Sequence, residues 1–156
     1  WYIFKRHKYK IEGGESLILS GEIMEKSVVI IKPDAVNAKA IGEIINMYEK
    51  NGLIIVDMYM TKADTDILEK HYEEHEQRDF YNPLLKFMSS GPICVLLIQG
   101  ENAVEVIREI NGKTDPSKAR PGTIRYLYGK NVTKNAVHGS ESLQAAKEEI
   151  RLWFDI

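Results

Sequence analysis

From Ser27 onward the chain alternates between compact apolar runs and segments whose apolar residues recur every three or four positions. Residues 28–31, Val-Val-Ile-Ile, form a β-branched run that Pro33 ends, as expected of a buried strand followed by a loop. Ile41, Ile44, Ile45 and Tyr48 then recur at helical spacing, and Gly52 stands just past them, where a left-handed residue is cheapest. Residues 53–60 read as a strand, 65–75 as a helix, and 84–88 as a further helical turn after Pro83. Gly91 and Pro92 punctuate the chain before residues 93–99, its strongest strand signal. Ala103, Ile107 and Ile110 mark one face of a helix expected over 102–110, whereas residues 112–128 have no clean period and read as a long loop. Loops of that length inside a compact domain are more often functional than idle. A short strand at 136–138 and a last helix, striped by Leu143, Ala146, Ile150 and Phe154, complete the order.

The order β-α-β-α-β-α-β-α predicts an α+β fold: a ferredoxin-like antiparallel sheet covered by helices, with an added terminal helix. A length of 156 residues suits one compact domain, and 44% apolar with 28% charged residues excludes bulk disorder. The longest apolar run, residues 93–98, is far too short to span a bilayer. Cys94, the single cysteine, sits inside that run and reads as a small buried hydrophobe in a reducing, cytoplasmic compartment. Residues 1–23 differ from the rest. Lys5, Arg6, Lys8 and Lys10 come without an acid among them, Gly13 and Gly14 follow, and no apolar stretch long enough for a signal peptide succeeds them. Met24 looks like a natural start, so residues 1–23 are expected to be a leader or added arm and 24–156 the functional domain.

Charge narrows the partner. Lys and Arg number 21 against 23 Asp and Glu, a formal −2, so no global basic field exists to coat a nucleic-acid backbone. A polyanionic ligand must be met by a local cluster. Gly112-Lys113-Thr114 imitates the end of a P-loop, but the motif's first glycine would fall at Ile107 in mid-helix. Asn131-Val132-Thr133 is a glycosylation sequon in a chain with no mark of secretion. His71 and His75 stand four apart but lack the adjacent glutamate of zinc proteases, so no dedicated metal site is expected.

The best candidate nucleophile is His138, at the end of a short strand and followed by Gly139 and by Ser140 and Ser142, which can cap the last helix. A neutral imidazole can attack phosphorus if its other nitrogen is held by an acceptor. Glu149, about 100° from Ile150 on the helical wheel, lies at the margin of the apolar stripe where it can turn inward and serve as that acceptor.

The string Asn135-x-x-His138-Gly139-Ser140-x-Ser142 resembles the signature of nucleoside diphosphate kinases. Residues 31–35, Ile-Lys-Pro-Asp-Ala, are similar to that family's first loop, and Arg78-Asp79-Phe80-Tyr81 to its nucleotide-gripping helix pair. Ser90-Gly91-Pro92 leads into a strand in the same way, and Thr114-Asp115-Pro116 and residues 120–125 resemble the family's long loop. The resemblance runs from Lys26 to Phe154.

It implies a kinase that moves the γ-phosphoryl group of a nucleoside triphosphate to a nucleoside diphosphate, ping-pong, through phospho-His138. Glu149 would hold the ring with Ser140 orienting it, and Lys32 would bridge the ribose 3′-hydroxyl and the moving phosphate. Arg108 and Arg125 would meet the transition-state charge; Tyr72, His75 and Thr114 would hydrogen-bond phosphates. Asn135 would bind ribose hydroxyls while Phe80 and Val132 sandwich the base, so broad base tolerance is expected. Mg²⁺ would ride on the phosphates, and the chain would form a homo-oligomer, hexamer or tetramer. Two positions depart from the family pattern. Glu141 stands where an aspartate linked to the metal through water is usual, and Leu127 where an acid commonly follows the loop arginine. The rival reading is a non-catalytic nucleotide-binding regulatory or scaffolding module of the same fold. An RNA-binding ferredoxin-like domain fits less well, because the aromatic-rich RNA-binding strand pattern is absent.

Overall fold

The computed structural model describes residues 18–19 and 22–156. The expected leader lies outside the described residues except at its end, where Ile18–Leu19 (β1) pairs antiparallel with the start of Glu22–Ile31 (β2). β2 therefore starts six residues earlier than the apolar run at 28–31 announces. Residues 24–27 are carried by backbone pairing to Ile98–Glu101 rather than by a hydrophobic pattern.

After β2 come Pro33–Asn37 (α1), Ile41–Lys50 (α2), Ile54–Thr61 (β3), Thr65–His71 (α3), Tyr81–Met88 (α4), Ile93–Glu101 (β4), Ala103–Asn111 (α5), Ile124–Tyr128 (α6), Val137–Gly139 (β5) and Leu143–Phe154 (α7). Three expectations need correction. Pro33 does not end the β2 strand in a loop: it opens α1, because proline's missing N–H costs nothing at a first helical position. The helix expected over 65–75 stops at His71 and tightens into a 3₁₀ turn, Glu73–His75. The aperiodic stretch 112–128 holds a 3₁₀ turn at Pro116–Lys118 as well as α6, elements too short to show a period.

The antiparallel sheet runs β1-β2-β4-β3, with β5 on β2 as well. Leaving aside β1, this is the ferredoxin-like order. Both faces are covered, which is why β2 and β4 read as continuous apolar runs. Val29, Ile31, Cys94, Leu96 and Ile98 face Ile44 and Tyr48 of α2, Ala103 and Ile107 of α5, and Ile124 of α6. Val28, Ile30, Ile93, Val95 and Leu97 face Leu68, Leu84, Leu85, Met88, Trp153 and Phe154 of α3, α4 and α7. Cys94 is fully buried in the first layer. No helix among the described residues is long and apolar enough to cross a membrane.

β5 is only three residues long, yet it pairs with Val29–Ile31 in a fixed register that sets His138 opposite Ile30 and Val137 opposite Ile31. His138 thus projects to the α3/α7 side while Val137 enters the opposite core layer. At Gly139 a Cβ would stand 2.8 Å from the Asn111 amide nitrogen and 3.1 Å from Ile107. Asn111 cannot swing away freely, because it is buried and accepts a 2.6 Å bond from Tyr48 Oη. Gly139→Ala should therefore lower stability by about 1–3 kcal/mol, read as a reduced urea midpoint at unchanged m-value.

Candidate active site

One cleft of about 1120 Å³ opens between the 72–84 segment, α5, the 112–135 segment and the end of β5. Its lining includes Lys32, Tyr72, His75, Phe80, Arg108, Thr114, Arg125, Val132, Asn135, His138 and Glu141. Residues spread over more than 100 positions of sequence thus meet in one place. Ser140 and Glu149 are behind His138 rather than in the cleft wall.

The nucleophile candidate is held from behind. Glu149, on the inner edge of α7, accepts from His138 Nε2 at 3.0 Å and from Ser140 Oγ at 2.6 Å. A carboxylate acceptor at Nε2 places the proton of the neutral ring there and leaves the lone pair on Nδ1. Ser140 is itself anchored, its Oγ accepting from Val28 N–H and its N–H donating to the Val28 carbonyl at 3.2 Å. Of the two serines expected to cap the last helix, Ser142 does so, accepting from Ala145 N–H at 3.1 Å. Ser140 is committed to Glu149 and the sheet instead.

The segment leading into β5 is tightly bent. Ala136 has φ +73°, and Val137 N–H closes back on the Asn135 carbonyl at 2.9 Å, a γ-turn that L-residues rarely adopt. Asp34, in the first turn of α1, accepts from Ala136 N–H at 3.0 Å, and Lys32 N–H donates to the Ala136 carbonyl at 2.8 Å. Asp34 was not singled out in the sequence as a site residue. Its only local signal is its position one residue after Pro33.

The cations are bound by neutral oxygens. Lys32 is 5% exposed and its ammonium donates to Asn135 Oδ1 at 2.7 Å and to the Thr133 carbonyl at 3.3 Å. Asn135 uses its amide nitrogen on the carbonyls of Thr114 and Val132. Arg125 lies at the start of α6, not at the end of a loop, and reaches the carbonyls of Gly112 at 2.7 Å and Val137 at 2.9 Å. The exposed Arg108 donates to the Glu141 carbonyl at 3.2 Å. Burial, then the Arg125 charge, pull the Lys32 ammonium down to about 7, with Asp34 acting against them. Burial likewise lowers Arg125 and raises Tyr72.

Tyr72 Oη is buried without a protein partner on the cleft wall. His75 stacks obliquely on Phe80, centroids 5.3 Å apart, at the outer end. There Phe80 and Val132 are 44% and 57% exposed, apolar surfaces open to solvent. Glu141 is exposed on the same wall, whereas the departure at Leu127 lies on the exposed side of α6, away from the cleft. His71 and His75 diverge: His71 turns behind the cleft against His138 and Trp153, and sequence spacing gave no sign of it.

An α+β sandwich whose cation-rich cleft is lined by a histidine backed by a carboxylate has the make-up of a nucleotide phosphotransferase. The chain belongs to the nucleoside diphosphate kinase family, whose pattern it matches over residues 25–156. It is 47% identical over 131 residues to the nucleoside diphosphate kinase of Clostridium perfringens strain SM101, covering 84% of this chain and 92% of that one. The Staphylococcus epidermidis enzyme of the same name, strain RP62A, is also 47% identical over 131 residues, 84% of this chain and 88% of its own. Among solved structures, the Aquifex aeolicus nucleoside diphosphate kinase superposes with a TM-score of 0.81 at 36% identity, covering 83% and 94% of the two chains.

Lys32 makes a pH prediction. Its folded-state pKa is depressed, so between about 7 and the ordinary value of 10.5 the unfolded chain holds a proton that the folded chain lacks. Stability contributed through this group must rise with pH across that window. Urea unfolding of ligand-free protein at several pH values above 7 should show wild type gaining on Lys32→Met by up to about 1.4 kcal/mol per pH unit. Parallel pH curves would show that Lys32 is not desolvated.

Proposed function

We propose that this cleft carries out nucleoside diphosphate kinase chemistry through His138, and the observation that carries the reading is the His138–Glu149–Ser140 chain, which leaves Nδ1 as the free nitrogen at the cleft. A nucleoside triphosphate enters with its base between Phe80 and Val132 and its ribose near Lys32 and Asn135. The Nδ1 lone pair forms the N–P bond as the bond from the γ-phosphorus to the bridging oxygen breaks. That oxygen keeps the electron pair and leaves with the nucleoside diphosphate, while the Nε2 proton stays in its bond to Glu149. A second diphosphate reverses the sequence and takes the group.

Lys32, Arg108 and Arg125 meet the charge spread over the phosphoryl oxygens, and Tyr72, His75 and Thr114 add hydrogen bonds to the phosphates. Lys32 is best suited to this work when a polyanion restores its proton. The cleft suits Mg²⁺ carried on the phosphates, with Glu141, exposed on the wall, reaching it through water. When bound, the ion would neutralise phosphate charge. Recognition of a base by flat apolar surfaces favours broad base tolerance.

The chain works as a homo-oligomer in the cytoplasm, with residues 24–156 as the catalytic domain and the preceding segment as a leader or added arm. Ile54, Met58 and Met60 leave β3 apolar and 45–55% exposed at an open sheet edge, a surface that assembly would cover.

Incubation with γ-labelled ATP and Mg²⁺ should give an acid-labile phosphoprotein that GDP discharges. His138→Ala should abolish the label; equal labelling of that variant would sink the mechanism, and a folded wild type that binds nucleotide without labelling would favour the non-catalytic module. Glu149→Gln should still label, but about 10²-fold or more slowly, measured as a single-turnover rate, because a neutral amide no longer fixes the ring proton on Nε2 or balances the phosphorylated ring.

A further inference from the structure

The reaction just described uses neither His71 nor Trp153, yet both are built against the nucleophile. His71 ends α3, and its ring meets that of His138 edge-on, centroids 4.4 Å apart and planes at 78°. A nitrogen of His71, a nitrogen of His138 and an oxygen of Glu149 lie within 4.8 Å of one another. From α7, Trp153 donates its indole N–H to His71 Nδ1 at 3.0 Å. An indole nitrogen can only donate, so Nδ1 of His71 bears the lone pair and the neutral ring's proton sits on Nε2. That Nε2 is closed off from solvent and has no hydrogen-bond partner in the protein. The rings of Tyr72, at 4.5 Å, and Trp153, at 5.6 Å, enclose His71 on its other sides.

The charged groups that face His71 come from every neighbouring element: Lys32 after β2, His75 in the 3₁₀ turn, His138 in β5 and Glu149 in α7. Burial first, then His138, Lys32 and His75, hold the His71 imidazolium well below its ordinary range. The same three donors have the spacing of a site for a borderline transition metal. The indole N–H already occupies one His71 nitrogen and the ring proton the other, so His71 offers a metal no lone pair in this arrangement.

We propose that His71 is a positioning residue for phosphoryl transfer: locked by Trp153 as the neutral Nε2–H tautomer, it braces the His138 ring so that Nε2 stays on Glu149 and Nδ1 stays in the cleft. The inference rests on His138 being the nucleophile. Attack at phosphorus leaves the His138 ring with imidazolium-like charge. A second imidazolium at van der Waals distance would repel that charge, whereas a neutral ring does not. A loose neighbour would let the His138 ring turn about its side-chain bonds, and small misplacements of a reacting atom are costly.

The test uses the full chain with ¹⁵N-labelled histidine, together with single-turnover phosphorylation by ATP and Mg²⁺ and separate measurement of ATP affinity. Wild type should show His71 with a bare Nδ1 and a protonated Nε2 that does not titrate between about pH 6 and 8. Trp153→Phe should mix the His71 tautomers, and both it and His71→Asn should slow phosphorylation about 10- to 100-fold with ATP affinity changed little. The His138 nitrogen signals should lose their single-tautomer pattern in His71→Asn. Ordinary titration of His71 in wild type overturns the proposal without any variant. So does a His71→Asn protein that labels at the wild-type rate, or one whose loss lies wholly in ATP affinity. A wild type that never labels at His138 brings down the functional reading and this inference together, whereas labelled wild type with unaffected variants brings down this inference alone.

Discussion

The chemistry of this protein depends on a ladder of three residues. Val137–Gly139 pairs with Val29–Ile31, and side chains along a strand alternate between faces, so a slip of one residue would send His138 into the layer of Ile44 and Ile107 and turn Val137 to the cleft. Three residues are too few to hold a register by themselves. The bonds that bracket the ladder do it: Lys32 N–H to the Ala136 carbonyl at one end and Ser140 N–H to the Val28 carbonyl at the other. The bent backbone at Ala136 is the local cost, and Asp34 offsets it by accepting the Ala136 N–H. The β2–α1 junction and β5 are therefore one unit, although about 100 residues separate them.

The electrostatics follow the same economy. A chain with formal charge −2 concentrates Lys32, Arg108 and Arg125 at one opening, and the hydrogen bonds of all three go to amide or carbonyl oxygens rather than to carboxylates. Neutral acceptors fix direction without cancelling charge. The cleft lining carries six Lys or Arg side chains against four Glu, and burial first, then the Arg125 charge, lowers the Lys32 pKa in the free protein. Glu149, the carboxylate hydrogen-bonded to His138, is placed behind the ring, where it balances charge on the ring without standing between it and the cleft.

Much of this was legible in the sequence, and the parts that were not have identifiable causes. The double-faced burial of β2 and β4 is written as unbroken apolar runs, and the phase of Glu149 against Ile150 shows a carboxylate at the edge of a buried stripe. Lys32, Tyr72, His75, Phe80, Arg108, Thr114, Arg125, Val132, Asn135 and His138 all line the cleft, but no single periodicity says so, because strand ends, loops, a 3₁₀ turn and two different helices bring them there. α1 was masked by reading Pro33 as a stop when it is also a favoured first residue, and α6 spans only five residues. β2 extends past its apolar run because backbone pairing of residues 24–27 to β4 sustains it where no apolar pattern does. His71 stands four residues from His75 in sequence, but its hydrogen-bond partner is Trp153, 82 residues away. Sequence spacing reports local geometry, and this contact belongs to the packing of α7 on α3.

The cleft is graded from end to end, and the gradient explains how one site can serve two nucleotides in turn. At its inner end Ser140 is fixed by the sheet, Glu149 by Ser140, His138 by Glu149 and Lys32 by Asn135, while Tyr72 Oη is left without a protein partner. At its outer end Phe80 and Val132 are about half exposed and held by little. On the proposed reading, the phosphates meet a rigid, pre-oriented frame, which suits a reaction whose catalysis is mostly positioning and charge stabilisation. The base meets two adaptable apolar surfaces that distinguish poorly between ring systems. A ping-pong reaction requires the second nucleotide to occupy the place the first has left, whatever its base. Rigidity where the groups are common to all nucleotides, and tolerance where they differ, is the arrangement that permits it.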